Sequence, residues 1–325
     1  MLDPVVAEAL RKDGHRIVIT GAGGWIGLAL LDLLSAALGP DVLRQRVRAF
    51  GSSARDLALA DGSTLPQAAL SSITGLPHAP TWVFHTAFLT KDRAVAMDER
   101  DYAVANRAIT GKVLAALDAI GTTGLFVASS GAAAKVVAGS AQGALKLYGQ
   151  LKLEEEERFA AWAQDRQATA AIVRIYALLG PRINKPEAYA IASFILDALA
   201  GRPVAVRSPR QVVRAYASLR ELLSLVLAMM LRDEGVSRFD SGGEPMELGD
   251  IARLVASLVP GCGVDRAAIT APDADIYHGD DASYDALLRS HGIARVPLIE
   301  GIRETMDWLG QSHTKTHAPG VPAPA

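Results

Sequence analysis

The sequence predicts an α/β fold, a doubly wound parallel sheet with a smaller C-terminal part. Three observations carry that prediction. The run Ile17-Val18-Ile19 ends in the turn Thr20-Gly21-Ala22-Gly23-Gly24-Trp25-Ile26-Gly27 and leaves as an apolar, helix-favouring segment. Short buried runs then alternate with helical patterns up to residue 176, as crossover units on a parallel sheet require. After Gly180-Pro181 the pattern breaks into shorter pieces.

Composition narrows the class. Of 325 residues 50% are hydrophobic and 21% charged, ample for a buried core. A net charge of −2 gives no bulk attraction to nucleic acid or to an anionic membrane. The single cysteine, Cys262, excludes an internal disulfide and fits a reducing compartment, so a cytoplasmic location is expected. The N-terminal stretch holds Asp3 and Glu8 and no apolar core of a secretory signal. The longest apolar stretch, 222–231, is half of the roughly 20 residues a membrane span needs and reads as a buried helix.

In chain order, a helix is expected over 4–11, a strand into the glycine turn, and a helix to residue 37 that stops at Gly39-Pro40. Strands follow at 47–50 and 80–87, then a helix over 101–120 that contains Asn106. The buried run 124–128 ends in Ser129-Ser130, and the Ala/Gly/Val-rich stretch after it reads as a loop. A helix over 147–163 and a strand over 170–176 complete the alternation. Helices at 188–200 and 219–232 flank a short strand at 203–206, and with 246–310 they are expected to form a cap. Residues 1–180, with returning segments, are thus the expected dinucleotide-binding domain, 181–310 mainly the substrate cap, and 311–325 a disordered tail.

The glycine turn has the parts a pyrophosphate needs. Gly21 lets the chain turn, Gly24 exposes backbone and Gly27 lets helix and strand pack closely. The helix entered at Trp25 and Ile26 offers backbone N–H groups and the positive end of its dipole. At the end of the second strand a carboxylate would bind the ribose hydroxyls of an adenosine and repel a 2′-phosphate. Here Gly51 is followed by Ser52, Ser53 and Arg55, two hydroxyls and a guanidinium that suit a phosphate. The expected cofactor is therefore NADP, with NAD possible. Ala87, at the end of a strand finishing in small residues, would let that cofactor lie against backbone.

Tyr148 and Lys152 stand four apart on one helical face, downstream of the strand ending in Ser130. A tyrosine titrates near 10, and a lysine one turn away favours its phenolate, while a serine hydroxyl holds a substrate oxygen. The set suits proton transfer beside a hydride path.

Together these residues resemble the extended short-chain dehydrogenase/reductases of the NAD(P)-dependent epimerase/dehydratase family. The resemblance covers about 16–309 and includes Phe84-His85-Thr86-Ala87, Asn106, the Tyr148 to Glu156 stretch and Val173-Arg174-Ile175-Tyr176. It implies a Rossmann domain with a smaller substrate domain, a homodimer formed through two helices per subunit, and a nucleotide-linked sugar as substrate. It also implies that Tyr148 is the acid/base, that Lys152 binds ribose and lowers the tyrosine pKa, and that Ser130 orients the carbonyl. Asn106 would fall among the cofactor residues, and Arg214 would grip a substrate diphosphate or lie on an edge strand as a surface charge. Dehydratases of the family carry an Asp-Glu pair where this chain has Gly131-Ala132, and epimerases an Asn where it has Ala177.

The expectation is an NADP-preferring reductase of a keto-sugar nucleotide. An epimerase that retains its cofactor and a non-catalytic dinucleotide-binding sensor are the alternatives. The seven histidines are read as holding no metal site, and no Gly-x-Ser-x-Gly elbow marks a hydrolase. His85 is expected to satisfy backbone groups, and Glu154 to Glu157 to form a solvated helix face.

Overall fold

The computed structural model describes residues 1–316. Its elements run α1 (Pro4–Lys12), β1 (Arg16–Thr20), α2 (Trp25–Leu38), α3 (Pro40–Arg46), β2 (Val47–Gly51), β3 (Arg55–Ala58), β4 (Thr64–Ala69), β5 (Thr81–His85) and α4 (Lys91–Ala96). There follow α5 (Glu99–Leu117), β6 (Thr122–Ser130), α6 (Gly131–Val137), α7 (Gly143–Arg166), β7 (Thr169–Ile175) and β8 (Leu178–Leu179). The rest comprises α8 (Ala190–Leu199), β9 (Val204–Val206), β10 (Val212–Arg214), β11 (Ala217–Ser218), α9 (Leu219–Arg232) and β12 (Val236–Asp240). It closes with β13 (Met246–Glu247), α10 (Leu248–Ala256), β14 (Val264–Arg266), β15 (Asp275–Tyr277), α11 (Asp281–His291) and α12 (Leu298–Thr316).

The chain divides into two compact units. The first holds residues 1–176, 219–242 and 279–295; the second holds 177–218, 243–278 and the described residues from 296 on.

The first unit is built on an eight-stranded sheet of order β12-β7-β6-β5-β1-β2-β4-β3. Every pairing is parallel except that of the edge strand β3 with β4. Side chains alternate between the two faces of a strand. On one face Val18, Val83, Leu125, Val127 and Ile172 pack with Val113 and Leu117 of α5 and Phe159 and Ala163 of α7. Gly124 opens toward the other, where a Cβ at that position would stand 2.9 Å from the Met230 sulfur of α9. The apolar stretch 222–231 lies in α9, buried over residues 221–230, and no helix among the described residues is long and apolar enough to cross a membrane.

Several segments differ from expectation: the helix 219–232, expected in the cap, belongs to the first unit, and the strands β3 and β4 were not expected. The stretch after Ser130 is helical, not a loop: the Ser130 hydroxyl caps α6 by accepting from Ala132 N at 3.2 Å, and Ala132 to Ala134 are strong helix formers. Residues 311–316 continue α12 where a disordered tail was expected over 311–325, while 317–325 lie outside the described residues.

In the second unit α8 packs on α10 and α12, beside short ladders of β13-β10-β15, β11-β8 and β14-β9. Gly180 N donates to Thr305 Oγ1 of α12 at 2.8 Å.

Close packing of α2 on β1 depends on Gly27. A Cβ there would stand 2.6 Å from Gly21 O and 2.7 Å from Ala22 Cα, both backbone atoms that cannot swing aside. Gly27→Ala should therefore cost about 1–3 kcal/mol in urea unfolding, and an unchanged midpoint would show that the turn has slack.

Candidate active site

The glycine turn is held by its own backbone. Gly24 N donates to Gly21 O at 2.9 Å. Gly21 has a φ of +73°, and a Cβ there would lie 2.6 Å from Ala87 N, so only glycine fits between β1 and the end of β5. The first turn of α2, which holds Trp25, Ile26 and Gly27, carries neither a side-chain cap nor an acidic residue. Bare backbone at a helix N-terminus is what a dinucleotide's pyrophosphate requires, and the turn fits it.

Ser130, Tyr148 and Lys152 meet at the carboxyl end of β6. The Ser130 hydroxyl is hydrogen-bonded to the phenol of Tyr148. Lys152 is buried, donating to Ala128 O at 2.8 Å and to Glu155 Oε2 at 2.8 Å, with Nζ 3.8 Å above the Phe88 ring. Phe88 meets the Tyr148 ring edge-on, with centroids 5.7 Å apart. Burial pushes Tyr148 up to about 12, against the Ser130 hydrogen bond, and the Glu155 charge raises it further. Burial is the largest cause of this rise, and the Lys152 ammonium beside the phenol is itself matched by the Glu155 carboxylate. Tyr148 is a neutral phenol at physiological pH.

Glu155 is the centre of a buried polar chain that corrects two expectations. The Glu154 to Glu157 run is not a solvated face throughout: Glu155 and Glu156 are 1% and 0% exposed. Glu155 Oε1 accepts from His85 Nε2 at 3.0 Å and from Thr110 Oγ1 at 3.1 Å. His85 does not serve backbone groups; its Nδ1 lies 2.6 Å from the Thr20 hydroxyl. Glu156 takes Ser129 Oγ at 2.5 Å and a two-pronged contact from Arg174, at 2.8 and 3.0 Å. Glu154 and Glu157 face outward and pair with Arg107 and Arg238. Desolvation alone would raise the Glu155 carboxyl, but Lys152 and His85 pull it from 4.5 to about 2.

The remaining candidates fall in different places. Ser52, Ser53 and Arg55 are exposed at the end of β2 and start of β3, and the Arg55 guanidinium lies over Gly23, where a Cβ would come 2.0 Å from Nη2. Asn106 is buried, with Oδ1 accepting from Leu89 N at 2.8 Å and Nδ2 donating to Tyr102 O, so it holds the loop after β5. Arg214 belongs to the second unit, where Nη2 is 2.6 Å from Asp275 Oδ2 and Nη1 donates to Val213 O and Asp275 O. Gly131 has no room for a side chain, since a Cβ would stand 2.5 Å from the Tyr176 ring. Sequence reasoning missed Glu155, Phe88 and Gln67 of β4. Among the described residues no group of three or more His, Cys, Asp or Glu is placed to hold a metal ion. The sequence contains one histidine pair at i, i+4 spacing, His313 and His317, of which His317 lies outside the described residues.

Replacing Glu155 with Gln leaves the buried Lys152 charge unmatched and should cost about 3–5 kcal/mol at pH 7. The folded carboxyl titrates below the unfolded one, so its contribution is full above the ordinary carboxylate range and is lost as pH falls from about 5 towards 2. Urea midpoints of wild type and E155Q should therefore converge on acidification. A gap that stays constant from pH 7 to pH 3 would show that Glu155 is not ionised in the native state.

Comparison with known proteins agrees with this geometry. Residues 17–242 match the model of the NAD dependent epimerase/dehydratase family. The UDP-glucuronic acid decarboxylase 1 of Xenopus tropicalis is 26% identical over 164 residues, 50% of this chain and 38% of that protein, so the match spans well under half of the relative's length. Among solved structures, the UDP-N-acetylglucosamine 4-epimerase of Methanobrevibacter ruminantium in complex with UDP-N-acetylmuramic acid aligns with a TM-score of 0.71 at 18% identity, over 92% of this chain and 99% of that one. The Bordetella bronchiseptica enzyme WbmF in complex with NADH aligns with a TM-score of 0.71 at 16% identity, over 93% and 96%. These two likenesses show the shared fold. With the matched model covering most of its length, the chain belongs to the NAD dependent epimerase/dehydratase family.

Proposed function

We propose that this enzyme is an NADP-preferring reductase of a keto-sugar nucleotide. The observation that carries the reading is the Ser130–Tyr148 pair beside buried Lys152, with Tyr148 held as a neutral acid. A neutral phenol is ready to give a proton, which is the need of carbonyl reduction. Arg55 over Gly23, with Ser52 and Ser53 beside it, supports a 2′-phosphate on the cofactor. The Tyr176 ring against Gly131 supports reduction over dehydration, because it excludes an acid from the position where the family's dehydratases carry one.

The cofactor, when bound, supplies a hydride from its nicotinamide ring. The chain's own residues do the rest. Ser130 holds the substrate oxygen, Tyr148 gives it the phenolic proton, and Lys152 meets the cofactor ribose from its place between Ala128 O and Glu155. Gly21, Gly24 and Gly27 with the first turn of α2 hold the pyrophosphate, and Ala87 lines its backbone wall. A homodimer is part of the same reading and is checked by sedimentation.

A second reading, a nucleotide-sugar epimerase with retained cofactor, is favoured by the family and by the Methanobrevibacter epimerase among the structural neighbours. It uses the same residues. NADPH oxidation with a 4-keto-6-deoxy sugar nucleotide, with NADH alongside, separates the two: NADPH consumed in step with product marks the reductase, and sugar isomerisation without net cofactor loss marks the epimerase. Tyr148→Phe should lower turnover roughly a hundred- to ten-thousand-fold while NADPH binding, followed by fluorescence, stays within about twofold. Retained turnover would remove Tyr148 from the chemistry.

A further inference from the structure

The end of β2 lacks a side chain at Gly51, and the space it leaves is filled from the neighbouring strand. A Cβ on Gly51 would stand 2.4 Å from Gln67 Cδ and 2.6 Å from its Oε1. Gln67 sits on β4 between Ala49 of β2 and Arg55 of β3, directly opposite Arg55 in the antiparallel ladder. Directly opposed residues project to the same face, so its carboxamide and the Arg55 guanidinium emerge side by side. Both reach Gly23 of the glycine turn, where a Cβ would lie 2.0 Å from Arg55 Nη2 and 3.1 Å from Gln67 Oε1.

The Gln67 side chain is 4% exposed. Its Nε2 donates to Ser53 O at 2.8 Å, which fixes the orientation of the amide, since a carbonyl only accepts. Its Oε1 is buried and has no hydrogen-bond partner. A buried acceptor left unmatched costs on the order of 1–3 kcal/mol, so it marks a place where a donor from outside the chain belongs.

We propose that Gln67 is a specificity-determining residue for the cofactor: its Oε1 accepts a hydroxyl of the adenosine ribose, supplying from β4 the acceptor that Gly51 cannot, while Arg55 takes a 2′-phosphate. Because the amide is neutral, it accepts a hydroxyl without repelling a phosphate as a carboxylate would. The pocket therefore admits both NAD(H) and NADP(H), with Gln67 favouring the first and Arg55 the second. This rests on the reading of the glycine turn as the dinucleotide site.

The test is direct binding of NADH and NADPH, by calorimetry or tryptophan quenching, to wild type, Gln67→Leu, Gln67→Glu and Arg55→Ala, with circular dichroism to verify folding. Gln67→Leu should weaken NADH about 5- to 10-fold and NADPH less than about threefold, the loss of one neutral hydrogen bond. Gln67→Glu should keep NADH binding and weaken NADPH by 100-fold or more, since a carboxylate then faces the phosphate. Arg55→Ala should weaken NADPH roughly 10- to 100-fold and leave NADH unchanged. Equal weakening of both cofactors by Gln67→Leu would overturn the inference, reducing Gln67 to a prop for the Ser53 carbonyl. Unaltered discrimination in Gln67→Glu would overturn it independently. Wild-type affinities that do not favour NADPH would overturn only the NADP preference, because the inference is read from the change on substitution.

Discussion

One buried carboxylate organises the unit built on the eight-stranded sheet. Glu155 of α7 receives hydrogen bonds from Lys152 on its own helix, Thr110 on α5 and His85 on β5, and His85 passes the contact on to Thr20 of β1. Four elements are thereby fixed around a pair of charges that water does not reach. Such a pair is weak evidence for stability, since its desolvation costs much of what it gains. Its value is geometric. It sets where the ammonium of Lys152 sits.

The fold was largely legible because it is written in local patterns. The glycine turn, the alternating buried runs and the helix 219–232 each announce themselves within a dozen residues, and α9 forms with those bounds. That Ser130, Tyr148 and Lys152 would stand together was legible too, since they sit at recognisable spacings. Their electrostatics were not. A run of four acids reads as a solvated face until its partners are known, and the partners of Glu155 and Glu156 come from residues 85 to 174 of the chain. Helical geometry turns 155 and 156 inward while 154 and 157 face out, a distinction composition does not carry.

Gln67 shows the same limit at the end of β2. Reading the end of β2 finds Gly51, Ser52, Ser53 and Arg55, the chain's immediate neighbours. The residue that fills the Gly51 gap arrives through a hairpin whose register places it opposite Arg55. Pairing register is set by turn geometry and by packing on both faces, and a slip of one residue would turn the amide to the other side of the sheet. The α6 segment is a smaller instance: its cap, Ser130, was read for chemistry alone and proved to start a helix as well.

The hairpin has a further consequence, for solubility. An open parallel sheet ends in a row of unpaired amides and carbonyls, a template for joining another chain edge to edge. Here that side of the sheet is finished by β3, only four residues long, antiparallel, and opening with Arg55 and Asp56. Short length, reversed direction and outward charge are the features that discourage such joining. The segment that carries Arg55 is thus the guard on the sheet's open flank, so a mutation that loosens it threatens the protein's resistance to aggregation.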